Sequence, residues 1–418
     1  HFGIFLKKKF VSLAVSHNSK LNLSPMANFP SIHATKLIYI TIGSILLVLI
    51  ILTYSRKHEQ HQYEYKKIES FLNSPQDKNS KTILLWTGFF SSRTWYLPGT
   101  NVINNTYFKK ENCPTTNCVV TTQKNYFDNL TQFDAIVFHG LEAFKKPAIR
   151  SDHQQYVLGL LESPGHSGSI LRNHQNFFNL TMTYRLDSDI PWTYARIFDK
   201  HTGKIVAPSK APSWPVPSYN FNDVDLQIIY KNKDKFGAWF VSHCNAMSKR
   251  DKLVSSLKKY LSIDIYGKCG TFNCPPSSAE CDMLLDKNYK FYFSLENSLC
   301  KDYVTEKFYN ALKRQIIPVV FGGADYSQFA PPNSYINAND FENIEDLATY
   351  LLYVSKNPQE YIKYFWWKKH FRISSRSPFC DLCVRLNDPA AGEKIQFYSN
   401  IENWWYKNSC SLKSNIIF

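Results

Sequence analysis

The sequence is poor in the features of fibrous, repetitive and disordered proteins. It has only 15 glycines and 20 prolines among 418 residues, which excludes a collagen-like chain. It contains no internal repeat and no low-complexity tract. Its hydrophobic content of 44% and aromatic content of 16% are too high for a disordered chain. The length therefore fits two globular domains of ordinary size with additional segments.

Acidic residues are fewer than basic ones, 34 against 49, which gives a formal net charge of +15. The basic residues are scattered, and the densest run is only Lys7-Lys8-Lys9. No basic stripe alternates with stacking aromatic residues, so binding to nucleic acid is not predicted. A solvated basic surface and an anionic ligand both remain as explanations of the charge.

No cysteine precedes the single long apolar run of the sequence, and ten follow it. Because cytosolic proteins keep their thiols reduced, this even set indicates disulfides in an oxidising compartment. Zinc is the alternative for Cys380-Asp-Leu-Cys383. A four-ligand zinc site needs a second pair of suitable spacing, however, and Cys269, Cys274 and Cys281 match that spacing poorly.

The apolar run from Leu37 to Tyr54 carries no charge and is long enough to cross a bilayer core. A cleaved signal peptide is the alternative, but no small-residue cleavage site follows the run. We therefore predict a cytosolic tail at 1–36, a transmembrane anchor at 37–54 and a stem at 55–81. Since Met26 stands shortly before the anchor, residues 1–25 are expected to lie upstream of the natural start.

The residues on the carboxyl-terminal side of the anchor indicate its orientation. Lysine and arginine are no scarcer after the run than before it, so the positive-inside rule does not decide. Three N-glycosylation sequons follow the run together with the cysteines, at Asn104, Asn129 and Asn179. They favour a lumenal carboxyl-terminal part, the type II arrangement.

Apolar runs of strand length alternate with helical patterns along the rest of the chain. Asp302 is the candidate N-cap of a predicted helix at 303–313. The proline-rich stretch 208–217 marks a boundary, so we predict an α/β fold with domains at 82–217 and 236–375 and a segment 376–418 that packs back. Such alternation gives parallel sheets with ligands at the carboxyl ends of the strands. Strands are predicted at 82–86, 135–138, 156–161, 238–241, 263–266, 289–295 and 316–321, and another helix at 248–261.

One segment concentrates polar residues at the end of a predicted strand. Glu296 and Asn297 follow the strand directly, and Thr305, Glu306 and Lys307 stand in the first turn of the next helix. The free N–H groups of a helix start and a nearby lysine suit a diphosphate, and a carboxylate suits ribose hydroxyls. A surface loop followed by a capped, charged helix is the alternative.

This segment resembles the signature of the α-1,3/4-fucosyltransferases, glycosyltransferase family 10. The signature contains E-N-S, D-Y-[IV]-T-E-K, N-A-L and [IV]-P-V-V, which the chain has at 296–298, 302–307, 310–312 and 317–320. The resemblance extends over residues 82–385. It implies the GT-B fold, in which a Rossmann-like acceptor domain at 82–217 faces a Rossmann-like GDP-fucose domain at 236–375 across a cleft.

The resemblance also implies the roles of five donor-site residues. Lys307 and Arg250 are expected to hold the diphosphate, with Lys249 as the alternative to Arg250. Glu306 is expected to bind the ribose hydroxyls, and Asn297 and Tyr303 to line the nucleotide pocket. Fixed cations stabilise a departing diphosphate without a general acid.

Glu162, in Leu161-Glu162-Ser163-Pro164, matches the segment of the family that carries the proposed base. A partly desolvated glutamate suits the removal of a proton from the acceptor hydroxyl. A carboxylate that caps the following turn is the alternative. His139, after the strand at 135–138, is predicted to pack rather than to touch the acceptor.

Asp187-Ser188-Asp189 has the D-x-D form with which many glycosyltransferases hold Mn²⁺. The family holds the diphosphate with basic residues instead, so no metal site and no required cofactor are predicted, and Mn²⁺ is expected at most to stimulate. The resemblance further implies local bridges Cys113–Cys118 and Cys380–Cys383.

The expected reaction is the inverting transfer of fucose from GDP-fucose to the 3-hydroxyl of N-acetylglucosamine in an N-glycan, in a Golgi cisterna membrane. Residues 297–308 and 264–270 look more like relatives that act on the N-glycan core. Fucosylation of the antennae is the alternative acceptor specificity. The non-enzymatic alternative is a pseudoenzyme that binds glycans.

Overall fold

The computed structural model describes Ser44 and residues 48–56, 80–99, 101–274, 278–391, 396–410 and 414–417. The chain divides into two compact units, His1–Gln76 and Asp77–Phe418. In the first unit, residues 48–56 form helix α1, which overlaps the predicted anchor. None of the helices among these described residues is both long and apolar enough to cross a membrane. The predicted tail and residues 57–79 of the predicted stem lie outside the described residues.

The described part of the second unit alternates strands with helices. Its strands are β1 Lys81–Leu85, β2 Val102–Ile103, β3 Cys118–Thr121, β4 Ala135–His139, β5 Gln155–Leu160, β6 Leu180–Thr183, β7 Ile190–Pro191, β8 Arg196–Asp199, β9 Ile205–Ala207, β10 Lys235–Phe240, β11 Ile263–Tyr266, β12 Tyr289–Leu295, β13 Ile317–Phe321, β14 Ile336–Asn337 and β15 Phe371–Ser374. Its helices are α2 Asn105–Lys110, α3 Val224–Asn232, α4 Arg250–Leu257, α5 Ala279–Asn288, α6 Glu306–Lys313, α7 Ile344–Lys356, α8 Pro358–Lys363, α9 Pro378–Asn387 and α10 Ile401–Tyr406.

Strands β1 to β7 form a sheet in the order β2-β3-β1-β4-β5-β6-β7, which is parallel except for the β2–β3 pair. The central strands β1, β4 and β5 are apolar and buried along nearly their whole length. Strands of this kind need cover on both faces, which is typical of parallel sheets. We call this sheet and α2 the first lobe.

Strands β10 to β14 form a second, wholly parallel sheet in the order β11-β10-β12-β13-β14. Helix α7 packs Leu347, Leu351 and Val354 against it, because this spacing puts the three on one face of the helix. We call this sheet and α3 to α8 the second lobe. The predicted α/β class with parallel sheets is therefore confirmed.

The predicted helix at 303–313 begins later than expected, at Glu306, and Thr305 rather than Asp302 is its N-cap. Asp302 has a φ of +59°, and its Oδ2 accepts a hydrogen bond of 3.0 Å from the N–H of Leu186. The carboxylate that looked like a cap therefore joins the loop before α6 to the first lobe.

A third, antiparallel sheet in the order β15-β8-β9 was not predicted. The chain then returns to the first lobe. Phe379 and Leu382 of α9 pack with Ile83 and Leu85 of β1. Trp405 of α10 is buried in a second cluster of the same lobe.

All ten cysteines are paired, which confirms the disulfide interpretation, but the implied local bridges are wrong. Cys380 and Cys383 lie on one face of α9 and bond to Cys113 and Cys118 of the first lobe, with Cα–Cα distances of 5.1 and 5.9 Å. Two close cysteines on one helix face reach across to a neighbouring element more readily than to each other. The other pairs are Cys244–Cys269, Cys274–Cys281 and Cys300–Cys410.

The three predicted glycosylation acceptors differ in exposure. Asn104 is the N-cap of α2 and Asn129 is exposed at the N-cap of a short 3₁₀ turn. Asn179 is only 4% exposed. Its side-chain amide bonds to Arg150, to the N–H of Tyr156 and to the carbonyl oxygen of Gln396. A glycan on Asn179 is incompatible with this burial, so the prediction for that residue is corrected.

Candidate active site

A cavity of about 380 Å³ opens at the carboxyl ends of the strands in the second lobe. It lies between the segments that follow β10 and β12, where the strand order reverses. Open parallel sheets bind ligands at this point. The cavity is lined by Phe240, Val241, Ser242, His243, Arg250, Tyr292, Asn297, Glu306, Lys307 and Asn310.

The first turn of α6 supplies the cavity with a fixed cation. Nζ of Lys307 lies 3.4 Å from Oε2 of Glu296, 2.9 Å from Oγ1 of Thr305 and 3.1 Å from Oε1 of Glu306. Burial acts to lower the pKa of Lys307, but the two carboxylates outweigh it and raise the pKa above its usual value. The ammonium group is therefore charged and held in place beside a helix N-terminus.

Glu296 is the buried anchor of this arrangement, a role that the sequence did not reveal. Its side chain is fully buried, and Oε1 accepts hydrogen bonds of 2.8 and 2.9 Å from the N–H and hydroxyl of Thr305. Burial raises the pKa of Glu296, and the charge of Lys307 opposes the rise. The available signal was an acidic residue placed directly after a buried strand.

Arg250 and Asn297 form another wall of the cavity. The Nη1 and Nη2 groups of Arg250 donate to the carbonyl oxygens of Leu295 and His243, over 2.7 and 2.9 Å. Nε of Arg250 and Oδ1 of Asn297 are buried and have no hydrogen-bond partner among the described residues. Buried polar groups of this kind are costly unless a ligand satisfies them. Lys249, the alternative to Arg250, is exposed and does not line the cavity.

Glu162 lies on the first lobe, two residues after the end of β5, and its turn contacts the second lobe. Oγ of Ser163 donates to Oγ of Ser298 over 3.0 Å, in a buried position. The rings of His166 and His243 are 5.0 Å apart between centroids. Because His243 lines the cavity, the structure brings the turn that carries Glu162 to its edge.

Tyr303 lies elsewhere than expected. It does not line the cavity, and its hydroxyl donates to Oε1 of Glu162 over 2.7 Å. The loop before α6 carries this side chain into the hydrophobic cluster of the first lobe. Oε1 of Glu162 also accepts a 3.2 Å hydrogen bond from the N–H of Ser163, which is the N-cap residue of the 3₁₀ turn Pro164–His166.

His139 is buried among Phe89, Phe90 and Trp95, as the packing interpretation expects. Burial lowers its pKa to about 4. Nδ1 lies 3.6 Å from Oε1 of Glu142, and neither ring nitrogen has a hydrogen-bond partner within the described residues. The imidazole is therefore neutral at physiological pH.

Asp187 and Asp189 bind different partners. Asp187 accepts hydrogen bonds from Arg185 and from Lys301. Burial acts to raise the pKa of Asp187, but these two cations lower it to about 2. Asp189 accepts from Thr181 and Tyr398. No group of three or more potential metal ligands occurs in the part of the chain that the structure describes.

The sequence matches two family models that together span both lobes. Residues 78–195 match the model described as "Fucosyltransferase, N-terminal". Residues 230–404 match "Glycosyltransferase family 10 (fucosyltransferase) C-term". The second range contains the whole cavity lining and the first contains Glu162, so the resemblance seen in the sequence is confirmed.

Curated relatives agree. Alpha-(1,3)-fucosyltransferase C of Drosophila melanogaster is 46% identical over 81% of this chain and 80% of its own length. Glycoprotein 3-alpha-L-fucosyltransferase A of the same organism is 34% identical over 78% of this chain and 60% of its own length. A solved alpha1,3-fucosyltransferase with GDP-fucose aligns with a TM-score of 0.41 at 15% identity, over 78% of this chain and 95% of that one. The chain belongs to glycosyltransferase family 10, the fucosyltransferases.

Proposed function

We propose that the chain transfers L-fucose from GDP-fucose to the 3-hydroxyl of an N-acetylglucosamine in an N-glycan, with inversion at the anomeric carbon. The proposal rests on one observation. A cavity that holds two fixed cations lies next to the turn that contains Glu162. The names of the Drosophila relatives support the 3-linkage.

The donor cavity suits a nucleoside diphosphate. Lys307 and Arg250 provide positive charge, and the N-termini of α4 and α6 add the partial charge of their free N–H groups. Glu306 is 53% exposed at the same helix start and is available to ribose hydroxyls. GDP leaves as an anion, so cations fixed in place lower the barrier to its departure.

In the proposed step, Glu162 accepts the proton of the acceptor hydroxyl. The oxygen attacks the anomeric carbon of fucose, and the bond from that carbon to the diphosphate breaks. GDP departs with the electron pair, and the product is α-linked because the attack comes from the face opposite the β-linked leaving group. The reaction needs no metal in this scheme, because the two cations already neutralise the diphosphate.

We propose the GT-B arrangement for the two lobes, with acceptor bound by the first and donor by the second. The position of Glu162 after β5 and of the cavity after β10 and β12 supports this division. We further propose that residues 37–54 anchor the chain in a Golgi cisterna membrane with the lobes in the lumen. Five disulfides suit an oxidising lumen.

We favour the core N-acetylglucosamine as acceptor, with the antennae as the alternative. Incubation of the purified chain with GDP-fucose and a panel of defined N-glycans tests both, with product linkage read by mass spectrometry. Core transfer predicts products only from glycans whose core N-acetylglucosamine is free at the 3-hydroxyl. Products confined to antennary residues would favour the alternative, and binding without transfer would favour a pseudoenzyme.

A further inference from the structure

A buried tyrosine from the loop before α6 reaches the proposed base on the other lobe. The ring of Tyr303 packs edge-to-face on Tyr184, with centroids 4.9 Å apart. Its hydroxyl donates to Oε1 of Glu162 over 2.7 Å. The Tyr303 side chain is 2% exposed, so water competes little for this hydrogen bond.

The two carboxylate oxygens of Glu162 have different surroundings. Oε1 accepts hydrogen bonds from Tyr303 and from the N–H of Ser163. Oε2 accepts none from the residues that the structure describes. A general base must be held in a productive orientation and still keep one oxygen for the proton. This carboxylate meets both requirements.

The Tyr303 hydroxyl keeps its proton at physiological pH and so remains a donor. Burial raises the pKa of its hydroxyl far above the usual value, and nearby Tyr194 and Glu296 add to the rise. The group therefore keeps its proton while Glu162 gains and loses one. A stronger acid on the same oxygen would give its own proton to the carboxylate and leave it less able to accept the proton of the acceptor.

Among the residues that the structure describes, three other titratable groups interact electrostatically with Glu162, and none of them donates a hydrogen bond to its carboxylate. They are Tyr184, Tyr194 and His166. Tyr194 donates to the carbonyl oxygen of Leu161 over 3.0 Å. The hydroxyl of Tyr184 and Nε2 of His166 are buried without a hydrogen-bond partner in the described ranges. Tyr303 is thus the side chain that orients this carboxylate.

We propose that Tyr303 is a positioning residue for the transfer: it fixes Oε1 of Glu162, so that Oε2 takes the proton of the acceptor hydroxyl. The inference rests on the proposed function, in which Glu162 is the base. Tyr303 and Lys307 stand in one short segment of the chain. This segment therefore positions both the base and the cation that binds the diphosphate.

Tyr303→Phe removes the hydroxyl and keeps the ring. We expect kcat to fall roughly ten- to a hundredfold, since a charged group loses one hydrogen bond. The Kd of GDP should stay unchanged. A fall in kcat at unchanged GDP affinity separates positioning of the base from a role in the nucleotide pocket. Tyr184→Phe removes a neighbouring buried hydroxyl that has no described partner, so its kcat and GDP affinity should match the wild type.

A double-mutant cycle completes the test. In a Glu162→Gln background, Tyr303→Phe should cause no further loss of kcat. Weakened GDP binding with unchanged kcat would indicate that Tyr303 is a nucleotide-pocket residue. Equal losses of kcat in Tyr303→Phe and Tyr184→Phe would indicate that the loss comes from disturbed packing. Either result overturns the inference. The single variant Glu162→Gln tests the proposed base without any tyrosine variant. If it keeps wild-type turnover, Glu162 is not the base.

Discussion

Lys307 offers the simplest test of the donor site at the scale of a single residue. Lys307→Ala should lower turnover by about a hundredfold or more, because the leaving diphosphate loses a fixed cation. The affinity for GDP should fall with it, as measured by isothermal titration calorimetry. The melting temperature should also fall, since buried Glu296 loses its counter-charge.

The matched control is Lys313→Ala, at the exposed last turn of the same helix. It changes the net charge equally and should leave turnover and GDP affinity at the wild-type level. Normal GDP affinity in Lys307→Ala would remove this lysine from the diphosphate site.

His139 makes the stability of the fold depend on pH. Its folded-state pKa of about 4 lies below the value near 6.5 of an unfolded chain. The neutral imidazole therefore contributes stability that is fully present above pH 6.5 and is lost as the pH falls from there towards 4. The loss can reach about 3 kcal/mol.

His139→Phe should flatten the dependence of melting temperature on pH in this window, because its aromatic surroundings accept a ring that does not titrate. Exposed His153 is the control, and His153→Gln should keep the wild-type slope. Equal slopes in all three proteins would mean that His139 is not buried as a neutral group.

Sequence alone located several cavity residues but not their partners. Asn297 could be placed because it follows a buried strand, and Glu306 and Lys307 because they stand in the first turn of the next helix. Both patterns are local. The bond between Tyr303 and Glu162 joins residues separated by 141 positions. Local patterns carry no information on such a contact, which depends on how the two lobes meet.

At the scale of elements, α9 shows why the disulfide pairing could not be read from spacing. Cys380 and Cys383 are close in sequence, yet the helix directs both towards the first lobe, where Cys113 and Cys118 lie. The short antiparallel strands could not be predicted for the same reason, because β8 and β15 pair with each other although they are far apart in the sequence. Strands β11 and β12, by contrast, were predicted with their observed bounds.

The long-range disulfides are tested by the thiol that each single variant releases. Cys380→Ser should free Cys113, and Cys383→Ser should free Cys118, as identified by alkylation and peptide mass spectrometry. The double variant Cys380→Ser/Cys383→Ser should lose about 2–5 kcal/mol of unfolding free energy, because it opens a long loop. Each single variant should lose less, because the remaining bridge still closes nearly the same loop. Release of Cys383 by Cys380→Ser would instead support the local bridge.

At the scale of the whole molecule, the chain could be predicted as an α/β protein because alternating apolar strands and amphipathic helices favour parallel sheets. The sheet order and the third sheet depend on contacts between distant segments, and the sequence pattern does not contain them. The wrong prediction of a glycan on Asn179 has the same cause. The sequon is a local pattern, but the burial of Asn179 comes from the packing of three separate segments.

Chelation tests how the whole cleft handles the charge of the donor. Activity should persist in part in excess EDTA, and Mn²⁺ should at most stimulate it, because Lys307 and Arg250 are already in place. The carboxylate of Asp187 is already paired with Arg185 and Lys301. Total loss of activity that Mn²⁺ alone restores would contradict this and favour a metal ligand role for Asp187 and Asp189.

The turnover of purified Glu162→Gln at saturating GDP-fucose and acceptor tests the role of the base most directly. Glutamine keeps the shape and the hydrogen bond from Tyr303 but cannot take the proton. We expect kcat to fall by about 10²–10⁴, the range of a positioned general base. GDP affinity and melting temperature, measured on the same sample, should stay near the wild type. A stable Glu162→Gln protein with wild-type turnover would contradict the mechanism and move the base to another residue of the cleft.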